Sequence, residues 1–163
     1  MSGQASTPWG LACLLVLTLV ACTKAAPPDT GPPRVAWTAP SSAPRPKNLL
    51  PAGQRGRLFV LGDGYGWDYY DVSEPDSIAE DLQQQGFQGG GPSWAGIVHG
   101  LLSLKAPGVL KLVALDPEGE GLRVTAKERG PLEQIAALVT QAHADPALRA
   151  QAIARAKQDG QME

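Results

Sequence analysis

Eight of the fifteen prolines fall between residues 23 and 55, separated by Ala, Ser and Thr and without hydrophobic periodicity. A segment of that composition cannot bury enough apolar surface to offset its ordering entropy. Residues 22–55 are therefore expected to form a disordered linker, extended and semi-rigid at about 3.1 Å per residue where it is polyproline II. A folded domain is confined to residues 56–163, which is long enough for one core. The linker carries Lys24, Arg34, Arg45, Lys47 and Arg55 against Asp29 alone. That balance suits an anionic lipid or wall surface, and it equally suits a solubilising spacer.

Ahead of the linker, Leu11 to Val20 form an apolar run of ten residues. Spanning a bilayer takes about 20, whereas a signal-peptide core needs fewer. Leu19, Val20, Ala21 and Cys22 then resemble a bacterial lipobox, in which the small Ala21 fits the peptidase and the Cys22 thiol takes the lipid. Residues 1–21 are expected to be a cleaved lipoprotein signal, although no Lys or Arg precedes the apolar run. Thr23 after the cysteine resembles the sorting signal of outer-membrane lipoproteins. The expected location is the cell envelope, lipid-anchored on the periplasmic side. The competing interpretation is a short buried helix with a chance cysteine. Cys13 and Cys22 are the chain's two cysteines. One is discarded with the signal and the other lipidated, so neither a disulfide nor a thiolate metal site is expected.

Residues 56–163 hold nine cationic and fifteen acidic side chains, a formal charge of −6. Asp63, Asp68, Asp71, Glu74, Asp76, Glu80 and Asp81 concentrate the excess. Nucleic acid is a poor ligand for such a domain, and a basic protein partner a better one.

The pattern is α+β, a small antiparallel sheet against helices in the order β(β)ααββαα. Arg57–Leu61 predicts a strand, with Asp68–Val72 as its possible partner. Ser77 and Glu80 have capping-box spacing for a helix through Gln85, which Gly86 caps. Ser93 opens a second helix whose Trp94, Ile97, Val98, Leu101 and Leu102 share one face. Pro107 and Gly108 stop it. Val109–Leu115 predicts a buried strand, paired in a hairpin with the alternating Leu122, Val124 and Ala126. Pro131 opens a helix bearing Leu132, Ile135, Leu138, Val139 and Ala142. Asp145 and Pro146 begin the last, with Leu148, Ala152 and Ala156 on one side. There is no internal repeat.

Catalytic chemistry finds little purchase, and neither metal nor cofactor is expected. His99 lies off the apolar stripe, facing solvent or a groove. His143 occupies a last helical turn, where the dipole favours a cation. Both read as structural before they read as catalytic. Gly89, Gly90 and Gly91 offer backbone N–H groups to an anion at a helix start, without an adjacent Lys or Arg. Asp63, Asp68 and Asp71 miss the spacing of an EF-hand loop. In Gly62–Asp71 (GDGYGWDYYD), a solvated loop with partly buried aromatics competes with a second interpretation, in which Trp67, Tyr69 and Tyr70 anchor a protein interface.

Two motifs carry a likeness to a known family. Gly86–Phe87–Gln88–Gly89–Gly90–Gly91–Pro92–Ser93–Trp94 resembles the helix-opening motif of the immunity protein 51 family. Leu115–Asp116–Pro117–Glu118 is similar to its Phe-Asp-Pro-Glu, set between two strands. Order and spacing agree over about residues 57–140. Gly90 stands where the family has Asn, Pro92 where it has an aromatic residue, and Ser93 where it has Asp; the second strand lacks aromatics. The resemblance implies a non-enzymatic domain that binds and neutralises a cognate bacterial toxin, with Asp116 and Glu118 as contact candidates and Trp94 as scaffold. With an envelope anchor, the toxin would act or arrive in the envelope. The alternative expectation is an accessory lipoprotein acting as a docking module in an envelope assembly. A third, a hydrolase, lacks a catalytic set.

Overall fold

A computed structural model describes residues 47–163. The expected signal, lipobox and Cys22, and most of the linker, lie outside the described residues. Four strands make one antiparallel sheet in the order β1-β2-β4-β3: β1 (Arg57–Leu61), β2 (Gly64–Tyr69), β3 (Val113–Pro117) and β4 (Leu122–Ala126). Four helices accompany it: α1 (Ala79–Gln84), α2 (Gly91–Lys105), α3 (Arg129–Ala144) and α4 (Pro146–Gln158). The fold is α+β. Short 3-10 turns at Asp71–Ser73 and Val109–Lys111 interrupt the expected order.

The helical stripes pack as their periodicity requires. Trp94, Ile97, Val98, Leu101 and Leu102 of α2 join Leu132, Ile135, Leu138, Val139 and Ala142 of α3 in one core. Against them the sheet presents Leu58, Trp67, Tyr69, Leu122 and Val124. Helices α2 and α4 meet where Gly100 lies against the backbone of Ala152; a Cβ on Gly100 would stand 2.0 Å from the Ala152 carbonyl oxygen. Asp145 caps α4, its Oδ1 accepting from the N–H groups of Ala147 and Leu148.

Several local expectations are corrected. The partner of β1 is Gly64–Tyr69, not Asp68–Val72, because Gly62 (φ 59°) and Asp63 close a two-residue turn directly after β1. The run Val109–Leu115 is not one buried strand: its first half is a 3-10 turn and its second belongs to edge strand β3, with Leu112 57% exposed. Ser77 does not form a capping box. Its hydroxyl donates to Asp71 Oδ2 and accepts from Ala79 N–H, so α1 starts two residues later. Ser93 is not a cap either, since α2 already begins at Gly91. Its buried hydroxyl accepts from Gly89 N–H and donates to the Glu163 carboxylate, which Gln88 N–H also holds at 2.8 Å. An anion thus sits beside the helix start, supplied by the chain itself.

Among the described residues, Asn48, Leu49 and Leu50, assigned by composition to the linker, belong to the folded unit. Leu49 and Leu50 pack on the core, Asn48 Oδ1 accepts from Leu58 N–H, and Leu49 N–H donates to Leu58 O. These contacts cover part of the outer edge of β1, which would otherwise be open for pairing. Among the described residues no helix is long and apolar enough to cross a membrane.

His99 faces α4 rather than open solvent: its Nε2 lies 3.1 Å from Asp159 Oδ2, which Ser103 Oγ and Arg155 Nε also approach at 3.2 and 3.0 Å. Desolvation opposes the charged form of Asp159, but the bonds from His99, Arg155 and Ser103 prevail and hold its carboxyl below the ordinary 3.8. A depressed carboxylate stabilises the fold above its unfolded value, and that contribution disappears as pH falls through the folded value. Asp159→Asn is expected to lower the thermal midpoint at neutral pH and to flatten its decline on acidification. Melts between about pH 3 and pH 7 test this, and parallel curves for both proteins would refute it.

Candidate protein-binding site

Strand alternation decides which aromatic side chains reach the surface. On β2, Tyr65, Trp67 and Tyr69 point toward the helices, while Gly64, Gly66 and Asp68 point away. Trp67 (0% exposed) and Tyr69 (1%) are therefore core residues, not interface anchors in a loop. Their rings stack at 5.6 Å, and Tyr69 meets Trp94 edge-on at 4.8 Å. Tyr70, on the outer side, remains 37% exposed.

The outer face of the sheet assembles residues distant in sequence. Register aligns Arg57, Asp68, Arg123 and Asp116 as one row across the four strands. Asp68 is 4% exposed, yet its carboxylate is satisfied: Arg123 Nε and Nη2 grip it at 2.7 and 3.0 Å, and Arg57 Nη2 stands 3.5 Å away. The hydrogen bond and charge of Asp68 raise the pKa of the Arg123 guanidinium. Burial and the nearby Asp68 and Glu118 likewise raise that of the Tyr70 phenol. Tyr70 lies over Gly121, where a Cβ would come within 2.3 Å of its ring. Asp116 and Glu118 are exposed on β3 and just after it.

At the other end of the same face, small and apolar side chains lie beside the Asp63–Lys127 ion pair. Phe59 rests on Gly66 with the Arg57 guanidinium 5.2 Å from its ring centre. An open depression of about 400 Å³ is bordered by Leu61, Gly64, Leu112, Thr125 and Lys127. Leu61 is 45% exposed there. Tyr and Arg held on rigid strands lose little freedom on binding, which suits them as contact residues. Of the five predicted contact residues, Tyr70, Asp116 and Glu118 converge here; Trp67 and Tyr69 support the face from beneath. Arg57, Asp68 and Arg123 escape a sequence reading, because only strand register brings them together.

A second polar cluster lies on the helix side. Asp71 is fully buried and accepts from Tyr69 Oη (2.9 Å), Ser77 Oγ (2.9 Å) and Ile78 N–H (3.0 Å). His143, 6% exposed, places Nε2 3.2 Å from Asp71 Oδ1, off the line of a well-formed hydrogen bond. Its ring stacks parallel to Trp94 at 6.3 Å. Burial and Asp71 push the Tyr69 phenol far above its ordinary pKa, so it is a permanent donor. An Asp–His pair evokes a general base, but Thr140 Oγ1 already donates to Ala136 O and accepts from Arg55 N–H. No side-chain nucleophile is thereby presented to the imidazole from Thr140. Among the described residues, no group of three or more His, Cys, Asp and Glu is placed to hold a metal.

No protein-family model, curated protein or solved structure matches this chain, and the likeness to immunity protein 51 rests on its two motifs.

Proposed function

We propose that this chain is an envelope lipoprotein, anchored through Cys22, whose folded domain binds a cognate bacterial toxin and blocks it without changing it covalently. The observation that carries this reading is the outer sheet face, where Tyr70, Asp116 and Glu118 gather beside the Arg57–Asp68–Arg123 clamp. The clamp fixes two arginines around one buried carboxylate, so the charged end of the face is preorganised for docking. The acidic balance of residues 56–163 favours a partner with a basic surface, by steering as well as by contact. The lipid anchor places the encounter in the envelope, against a toxin that acts on wall or membrane.

The test is protection. The product of the adjacent gene is expressed in the envelope with and without this chain, and survival is measured. Survival that depends on the chain is expected. Tyr70→Ala, or Asp116→Lys with Glu118→Lys, should weaken binding by about 30-fold or more, the scale of an interface hot spot. Both leave the core untouched and should leave the melting temperature nearly unchanged. A harmless neighbour, with the chain instead recovered in a standing envelope complex, would replace this reading by that of an accessory docking module.

A further inference from the structure

The two outer edges of the sheet are finished differently. On β1, the outward N–H and C=O of Leu58 bond to Asn48 and Leu49. Strand β3 forms the opposite edge. Glu118 N–H donates to Gly121 O at 2.8 Å, and this bond sets the parity of the β3–β4 hairpin. Ala114 and Asp116 therefore bond to β4, while Val113, Leu115 and Pro117 turn their backbone groups to the open side. Among the described residues, no backbone group beyond the sheet ladder bonds to Val113 or Leu115. An edge left in this state is a template for another strand.

Charge along this edge runs from basic to acidic. Lys111 stands just before β3, Asp116 lies near its end, and Glu118 and Glu120 follow it in the turn. Each is exposed, and among the described residues none of them joins an ion pair. An antiparallel copy of the same strand, related by a two-fold axis through Leu115, is complementary to this pattern. The basic start of each copy faces the acidic end of the other. Leu115 then opposes Leu115, Val113 opposes Pro117 and Ala114 opposes Asp116, so the whole of β3 is paired. Each copy donates from the N–H groups of Leu115 and Val113 to the carbonyls of Leu115 and Pro117 opposite. Moving the axis to Asp116 would set that carboxylate against its own copy. Moving it to Ala114 would carry Asp116 and Pro117 past the end of the facing strand. Acid and proline thus select one register and leave the edge open to it.

We propose that β3 is a self-association edge, through which a second copy of this chain pairs antiparallel about Leu115 and joins the two sheets into one. The contact is isologous, and with the edge of β1 partly covered by Asn48 and Leu49 the pairing closes at a dimer. Asp116 and Glu118 of both copies flank the seam, and the outer face runs continuously across it. The inference stands apart from the toxin-binding reading, and no toxin enters its test.

Full-length protein is brought to sedimentation equilibrium in density-matched detergent. A monomer–dimer equilibrium is expected, with a Kd on the order of 10 μM. Lys111→Glu sets like charge against Glu118 and Glu120 of the copy, and Glu118→Lys with Glu120→Lys sets like charge against Lys111. Each variant alone should dimerise roughly tenfold more weakly or worse. Mixed in equal amounts, the two should recover wild-type association, because every basic end again meets an acidic one. Val113→Pro removes an outward N–H and no bond to β4, and it too should weaken the dimer by roughly tenfold. Melting temperatures near that of the wild type verify that the variants are folded.

A wild type still monomeric at about 0.5 mM, far above the expected Kd, would overturn the self-association edge. Association that the charge reversals leave unchanged would overturn it as well, by assigning the contact to another surface. Variants that weaken singly and are not restored by mixing would overturn the antiparallel register. Each of these outcomes leaves the protection experiment to be decided on its own result.

Discussion

Replacing Asp71 by Ala is expected to cost about 4 kcal/mol of stability, the largest effect of any single polar substitution in this domain. The carboxylate is 0% exposed and serves three hydrogen-bond donors, with His143 Nε2 a further 3.2 Å away. Its removal leaves the Tyr69 hydroxyl and the Ile78 N–H without an acceptor in a space that water does not readily fill. Each orphaned donor costs about 1–3 kcal/mol. Asp71→Asn should cost less, since the remaining carbonyl oxygen still accepts. Tyr69→Phe should cost about 1 kcal/mol, because it withdraws a donor instead of stranding one. Urea unfolding of the three variants measures this order. Equal midpoints for Asp71→Ala and Tyr69→Phe would show that the carboxylate is not the hub.

The second large effect is steric. Gly100→Ala puts a methyl group 2.0 Å from the carbonyl oxygen of Ala152 and 2.7 Å from its carbonyl carbon. Both obstacles are backbone, so no side chain can rotate aside; α2 and α4 must separate. Overpacking of this kind costs about 1–3 kcal/mol and sometimes more. Alanine's better helix propensity returns about 1 kcal/mol at most. A net loss of about 2 kcal/mol, or a fall of roughly 8 °C in melting temperature, is expected. Gly108→Ala is the control, since nothing lies within 4 Å of the added atom. A melting temperature for Gly100→Ala equal to the control would mean that the two helices slide apart freely.

Another pair of glycines, Gly64 and Gly66, shows what a sequence reveals and what it withholds. Helical periodicity exposed α2 and α3 plainly, because long amphipathic faces repeat often enough to be read. Strand β2 was harder. In GDGYGWDYYD the glycines and acids look like a loop, yet Gly64 and Gly66 are there because neighbours come too close for a Cβ: Ala126 O at 2.6 Å and the Phe59 ring at 2.7 Å. Period-two alternation of Tyr65, Trp67 and Tyr69 was the available signal, and it points those residues inward. Reading the segment as a loop turned Trp67 and Tyr69 outward in error. Tyr70 is legible as a candidate from its residue type, and Asp116 and Glu118 only through the resemblance to the immunity protein 51 motif. Their grouping with Arg57 and Arg123 depends on register between strands far apart in the chain, and no local pattern encodes it. Asp71 offered no signal of its own, since one acid in an acidic stretch looks like solvated surface until its donors are seen.

The order of the sheet also has a kinetic side. Strands β1 and β2 are joined by a two-residue turn, and β3 and β4 by a short one, so each hairpin closes a small loop at low entropic cost. The central ladder is different: β2 meets β4 across a separation such as the 55 residues between Asp68 and Arg123. Such a long-range seam forms slowly and is rewarded only once the intervening α2 is in place. Closing it creates the Asp68–Arg123 grip and seals Trp67 against Val124 in the same event. A chain still waiting to zip its two halves therefore has no assembled outer sheet face. Under the proposed function, partner recognition would be a property of the completed fold, withheld from nascent and half-folded forms.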